Sequence, residues 1–248
     1  MSGHNKWSTI KHKKGKEDAK RGRIFTRLIK EITVAARMGG GSEDANPRLR
    51  QAVTTAKANN MPLDNILRAV KKGTGELEGV SYEDVTYEGY GPDGVAILLD
   101  CVTDNRNRTI SEVRHAFTRG GGKMAEPGAV AWIFADRGRV IVDAEGVDEE
   151  ELMLAAMEAG ADDLADSGEV FELYCATEVV EEVSAACTGA GFKVAESGRI
   201  KWPSNTVKIE GKSAQTLVRL LENLEDLDDA QAVWANFEMD DDLIDSMA

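Results

Sequence analysis

Histidine is nearly missing from this chain. Its 248 residues include three, His4, His12 and His115. Imidazole is the commonest acid–base group of enzymes, so such catalysis has little to work with. No nucleophile stands beside a plausible base, and there is no GxSxG, P-loop or HExxH pattern. Cysteine is as scarce: Cys101, Cys175 and Cys187 are isolated, odd in number and without a CxxC pair. That excludes a disulfide framework and fits core packing in a reducing cytosol. Long apolar runs are lacking too. Val95–Leu99 is among the longest, far below the roughly 20 residues of a membrane span. The opening MSGHNKWSTIKHKK has no apolar core of a signal peptide. No membrane segment and no leader are expected. Five prolines and 42% hydrophobic residues fit a globular chain rather than a disordered one.

Positive charge is scarce in most of the chain and concentrated at one end. Residues 1–75 hold 17 Lys/Arg against 6 Asp/Glu, a net of +11, while residues 76–248 hold 13 against 38, a net of −25. A cationic end on an acidic body suits a protein whose one end touches a polyanion while the rest is held off.

Residues 1–15 carry no apolar periodicity and read as a flexible basic arm. Ile24, Phe25, Leu28, Ile29, Ile32, Ala35 and Ala36 recur at helical spacing, predicting a helix over 16–38 that Gly39-Gly40-Gly41 ends. Asn46-Pro47 reads as an N-cap with proline at N1. It opens a second helix running to about Asn60, and Pro62 opens a third closed by Gly73 and Gly75. The pattern then changes to strands. Tyr82–Tyr87 alternates, Val95–Val102 is apolar, and GYGPDG between them makes a hairpin. A helix over 109–118 follows, then a strand over 129–134. From Arg137 the order is strand, helix, strand, strand, helix, strand, the split βαββαβ of a ferredoxin-like domain. NTVKIE, SAQTLVRLLENLED and AQAVWANFEMD add a strand, a helix and a strand. The expected fold is α+β: a helical N-terminal domain over 1–75, an α+β domain over 76–134 plus 203–248, and an inserted ferredoxin-like domain over 135–202.

The candidate interface is basic. Lys20, Arg23, Arg27, Lys30 and Arg37 fall on one face of the first helix, roughly opposite its apolar stripe. The arm adds Lys6, Lys11, Lys13, Lys14 and Lys16, and Arg48, Arg50, Lys57, Arg68, Lys71 and Lys72 decorate the other helices. An ordinary solvated face would mix signs; this one favours phosphate. Trp7 among lysines either stacks on an unpaired base or anchors the arm to the bundle. A second set, Arg106, Arg108, Arg119 and Lys123, brackets one helix in the acidic half and reads as a second contact on a large polyanion such as the ribosome. Its bland role is pairing with Asp104, Glu112 or Glu126. Gly120–Gly122 within it serve as a C-cap or a close backbone approach. Gly89-Tyr90-Gly91-Pro92-Asp93-Gly94 matches GxGxxG, but it leads into a strand, not the helix that dinucleotide binding needs. Asp162, Asp163, Asp166, Glu169 and Glu172 lack the spacing of a calcium loop and read as a solvated acidic face. No catalytic residue, metal site, cofactor or small-molecule substrate is expected.

The stretch SGHNKWSTIKHKKGKEDAKRGRIFTRLIKEI resembles the N-terminal signature of the YebC/PmpR family, as DCVTDNRNRTISEVRHAFTRGGGKMAEPGAVAWIF resembles a second one. That family includes the mitochondrial translational activator of cytochrome c oxidase. The resemblance covers essentially the whole chain. It implies three domains, a helical one first and a ferredoxin-like insertion. It also implies a cytoplasmic, DNA-binding transcriptional regulator, with organellar members acting in translation and bacterial ones linked to ribosomes stalled on proline-rich sequences. Three functions stay open: a regulator binding duplex DNA, a ribosome-associated factor binding ribosomal RNA or tRNA, and a protein-binding adaptor. The physics leans to RNA, because no helix–turn–helix spacing or base-reading set stands out and lysine-rich arms read backbone and shape.

Overall fold

The structure, a computed structural model, describes residues 17–240, with side chains from residue 22 onward. Lys6, Trp7, Lys11, Lys13, Lys14 and Lys16 therefore lie outside the described residues, as do the side chain of Lys20 and the acidic tail. Helices α1 (Glu17–Gly39), α2 (Pro47–Ala58) and α3 (Leu63–Gly73) come first. Strands β1 (Glu83–Tyr90) and β2 (Ala96–Thr103), helix α4 (Arg106–Arg119) and strand β3 (Lys123–Ala125) follow. Next come β4 (Phe134–Asp143), α5 (Glu149–Glu158), β5 (Ala161–Asp166), β6 (Val170–Cys175), α6 (Val180–Gly189) and β7 (Val194–Pro203). The chain ends with β8 (Val207–Lys208), α7 (Gly211–Glu225), β9 (Ala230–Ala235) and β10 (Phe237–Glu238). The fold is α+β, helices first and sheets after.

The described chain forms two compact units, Trp132–Asn205 and the remainder. We propose the three-way division given above as the domain organisation. In the larger unit α1, α2 and α3 close on Ile32, Leu49, Val53 and Ile66. The Asn46 side chain accepts from the Leu49 amide at 3.1 Å and donates to the Ala35 carbonyl at 2.8 Å, so one residue starts α2 and ties it to α1. Gly73 lets α3 close on α1; a Cβ there would sit 2.4 Å from the Thr33 carbonyl oxygen. The rest of this unit is an antiparallel sheet in the order β3-β1-β2-β9. Helices α4 and α7 cover it over Ile97, Leu99, Phe117, Leu217 and Leu221. The GPDG turn joins β1 to β2 as a hairpin, Tyr90 opposite Ala96.

The unit Trp132–Asn205 has sheet order β5-β6-β4-β7, antiparallel throughout, with a core of Val140, Val142, Leu152, Leu173 and Val183. That order and the βαββαβ sequence make a ferredoxin-like fold.

Three local expectations are corrected. Residues 129–134 are not a strand. The Glu88 carboxylate, buried in β1, accepts from the amides of Gly128 at 2.6 Å, Val130 at 2.6 Å and Ala131 at 2.9 Å. Those donors are turned into a loop and a short 3₁₀ turn, and β4 begins at Phe134. The strand in this region is β3, within a segment read as loop. Glu172, expected in a solvated face, is fully buried, accepting from the Tyr174 hydroxyl at 2.9 Å and facing Arg139.

Candidate nucleic-acid interface

Helix α1 has two faces, and both are used. Its apolar face packs on α2 and α3. Its basic face meets the C-terminal end of α7 and the turn before β9. A helix C-terminus presents unsatisfied carbonyls and negative dipole charge, so cations are favoured there. Arg27 donates to the Glu225 carbonyl. Arg23 pairs with Asp226 at 2.5 Å, and Lys30 donates to the Asp228 carbonyl at 2.8 Å. The stripe read as solvent-facing is thus turned inward at Lys30, whose exposure is 7%. Arg37, in the last turn of the helix, stays exposed and donates to the Ser81 hydroxyl at 2.7 Å.

Asp229 organises this contact. It is fully buried and accepts from Lys30 Nζ at 2.7 Å, Arg108 at 2.7 Å, Thr109 Oγ1 at 2.7 Å and Thr103 Oγ1 at 3.0 Å. Burial opposes its ionisation, but bonds from Arg108, Lys30 and Thr109 outweigh burial and hold its carboxyl down at about 2. Arg108 also pairs with Asp104 at 2.8 Å, four positions earlier in the chain. These groups border an open cleft of about 600 Å³ that also takes in Tyr82 and Glu112. Its cations Arg23, Arg27, Lys30 and Arg108 are matched by Asp104, Glu112, Asp228 and Asp229. Balanced charge makes this a joint within the unit and a poor attractor of phosphate. Beside it, burial pushes the Cys101 thiol up to about 12, so it stays protonated and inert at neutral pH.

Other expected contacts are paired as well. Arg106 bonds Glu83 at 2.8 Å. Arg48 bridges Glu31 at 2.6 Å and Asp84 at 2.8 Å, and its guanidinium is held further toward the charged form by those two carboxylates. Lys57 lies 3.6 Å from Glu43.

A different set has no ion pair with any described residue. On α3 these are Arg68, Lys71 and Lys72. On α4 they are Arg114 and Arg119, and on α7 Lys212 and Arg219. Lys212 and Arg219, seven positions apart, fall on one face of α7, and Arg119 directly precedes the glycines that meet this helix. Gly120 packs on Leu220, where a Cβ would meet a side-chain atom at 2.6 Å, and Gly121 lies against Thr216. The triple glycine thus brings the end of α4 onto the middle of α7. Lys123 is exposed nearby, its ammonium 5.9 Å from the Tyr90 ring centre.

Comparison with known proteins agrees with this architecture. Residues 5–76 match the model of the TACO1/YebC protein N-terminal domain, and residues 82–237 match that of the TACO1/YebC second and third domain. The chain belongs to the TACO1/YebC family. A family relative from Syntrophobacter fumaroxidans, named a probable transcriptional regulatory protein, is 55% identical across all of both chains. One of the same name from Desulfatibacillum aliphaticivorans is 54% identical, covering 98% of this chain and 99% of its own. The crystal structure of a conserved hypothetical protein from Aquifex aeolicus superposes with a TM-score of 0.84 at 47% identity, over 90% of this chain and 93% of that one.

In this family member, then, the structure brings Arg23, Arg27, Lys30 and Arg108 together in one joint, pairs Arg106 separately, and leaves Arg119 and Lys123 outward. Sequence reasoning did not single out Arg114, Lys212 and Arg219, which have no ion pair with any described residue. For Lys212 a signal was present: α7 has no acid in its first turn and a lysine there, against the preference of a helix N-terminus for negative charge.

Proposed function

We propose that this protein is a non-enzymatic, cytoplasmic regulator of gene expression that binds the phosphate backbone of nucleic acid, and that it acts in transcription, as its relatives' names state. The observation that carries this reading is the distribution of unpaired cations. The whole chain has a net charge of −14. Acids hold Arg23, Lys30, Arg48 and Lys57 of α1 and α2, and a main-chain carbonyl holds Arg27. Among the described residues, the cations on α3 and those of α4 and α7 named above have no such match. Unmatched, exposed cations attract phosphates and displace their counterions, whereas the acidic unit 132–205, with 17 acidic against 5 basic side chains, repels a misplaced polyanion. The arm lysines Lys6, Lys11, Lys13, Lys14 and Lys16 extend the same chemistry.

RNA as the polyanion is a second reading, favoured by one observation. Thr118, Gln215, Thr216 and Asn223 are interleaved with the cations of α4 and α7. Each carries donor and acceptor atoms that suit a ribose 2′-hydroxyl. Fluorescence anisotropy of the full chain on a 30-bp DNA duplex and on a stem–loop RNA of matched charge tests both. Tight, salt-sensitive binding to either supports the proposal, and the better ligand selects between readings. Binding to neither, or affinity that ignores salt, contradicts it. Changing Arg68, Lys71 and Lys72 together to Ala weakens binding at least tenfold with an unchanged melting curve.

A further inference from the structure

The helical layer of residues 132–205 carries a cluster of exposed apolar side chains. Helix α5 is capped by Asp148, whose carboxylate accepts from the Glu151 amide at 3.0 Å. Leu152 and Ala156 face the core. The opposite face carries Met153, Leu154 and Met157, exposed by 37%, 65% and 56%. Single exposed apolar residues are ordinary. Here three of the nine exposed large apolar side chains among the described residues lie within five positions of one ten-residue helix. Met157 neighbours both Met153, four positions before it, and Leu154, three before it, on the helix surface.

The charge carried by the two helices of this layer is of one sign. Helix α5 carries Glu149, Glu150, Glu151 and Glu158, α6 packed beside it carries Glu181 and Glu182, and neither has a lysine or arginine. Flexible methionine side chains adapt to partners of varied shape. A strip of Met and Leu rimmed by carboxylates therefore matches one occupant best: an amphipathic helix with apolar residues on one side and cations flanking them. A second copy presenting this same face would set acid against acid. Nucleic acid and anionic lipid are repelled for the same reason.

We infer that the α5–α6 surface docks a cationic amphipathic helix of a partner protein. This does not depend on the nucleic-acid reading, since it uses another surface and another ligand. The probe is a fluorescein-labelled 18-residue Leu/Lys peptide with leucine at helical spacing, titrated into the full chain; a shuffled peptide of identical composition is the control. The amphipathic peptide is expected to bind at least tenfold more tightly than the shuffled one. Leu154→Ser with Met157→Ser should remove about tenfold or more of that affinity, because two apolar side chains no longer become buried. Methyl-labelled methionine spectra add a readout independent of the variant: the Met153 and Met157 methyls shift on titration while buried Met61 and Met239 do not. Equal binding of both peptides, no binding, unmoved Met153 and Met157 signals, or affinity of the double variant within twofold overturns the inference. Self-association of the wild-type chain that the double variant abolishes also overturns it, by making the occupant a second copy.

Discussion

Arg108 and Arg119 stand at opposite ends of α4 and meet opposite fates. Arg108 is locked between Asp104 and buried Asp229. Arg119 makes no ion pair with any described residue, and the glycines that follow it lie against Leu220 and Thr216 of α7. Both are arginines on one fourteen-residue helix, so charge and local sequence do not distinguish them. What differs is the neighbour that the fold supplies. At one end it is the C-terminus of α7 with its acidic turn; at the other it is the middle of that helix, at Thr216 and Leu220, with no carboxylate paired to Arg119 among the described residues. The lesson concerns the first helix equally. Its basic stripe is complementary to a helix C-terminus before it is available to a phosphate.

Breaking the locked end should have the largest effect. Asp229→Ala leaves Lys30, Arg108 and two threonine hydroxyls without their shared acceptor. A loss of about 3–5 kcal/mol in unfolding free energy is expected, measured by urea denaturation. If that variant does not fold, Lys30→Met isolates the same pair from the other side. The next effect is acid sensitivity. The Asp229 carboxyl is held at about 2 against a usual value near 3.8. A lowered carboxyl value gives stability that is present above the usual value and lost as pH falls through the folded one. That lowering corresponds to roughly 2 kcal/mol, lost as pH falls from about 4 to about 2. Asp229→Asn should flatten that part of the stability profile. The smallest effect belongs to Arg23→Ala. That pair is 52% and 68% exposed, so solvent screens it and less than about 1 kcal/mol is expected. A change as large as that of Asp229→Ala would end the distinction between buried and exposed joints.

Much of the fold was legible because its signals are local. Helical spacing from Ile24 to Ala36, the Asn46-Pro47 start, the GPDG turn and the βαββαβ order each depend on a few neighbouring residues. Residues 129–134 were misread because the decisive partner, Glu88, lies about forty positions earlier and draws the amides out of a strand. The site was less legible for a similar reason. Lys30 and Asp229 are 199 positions apart, and no periodicity in α1 announces which of its faces another part of the chain will cover. Helical phase separated apolar from basic residues correctly. It could not separate a basic face that meets solvent from one that meets a helix end.

The salt dependence of nucleic-acid affinity tests the central claim, that unpaired cations and not paired ones bind phosphate. For duplex DNA, every phosphate that the protein neutralises adds about 0.9 to the steepness of log affinity against log salt. Replacing Arg119 and Arg219 together by Gln should therefore reduce that slope by about 1.8 and weaken binding. Replacing Arg23 and Arg106 together by Gln, two exposed but paired positions, should leave the slope unchanged. An unchanged slope in the first variant with a reduced one in the second would contradict the account.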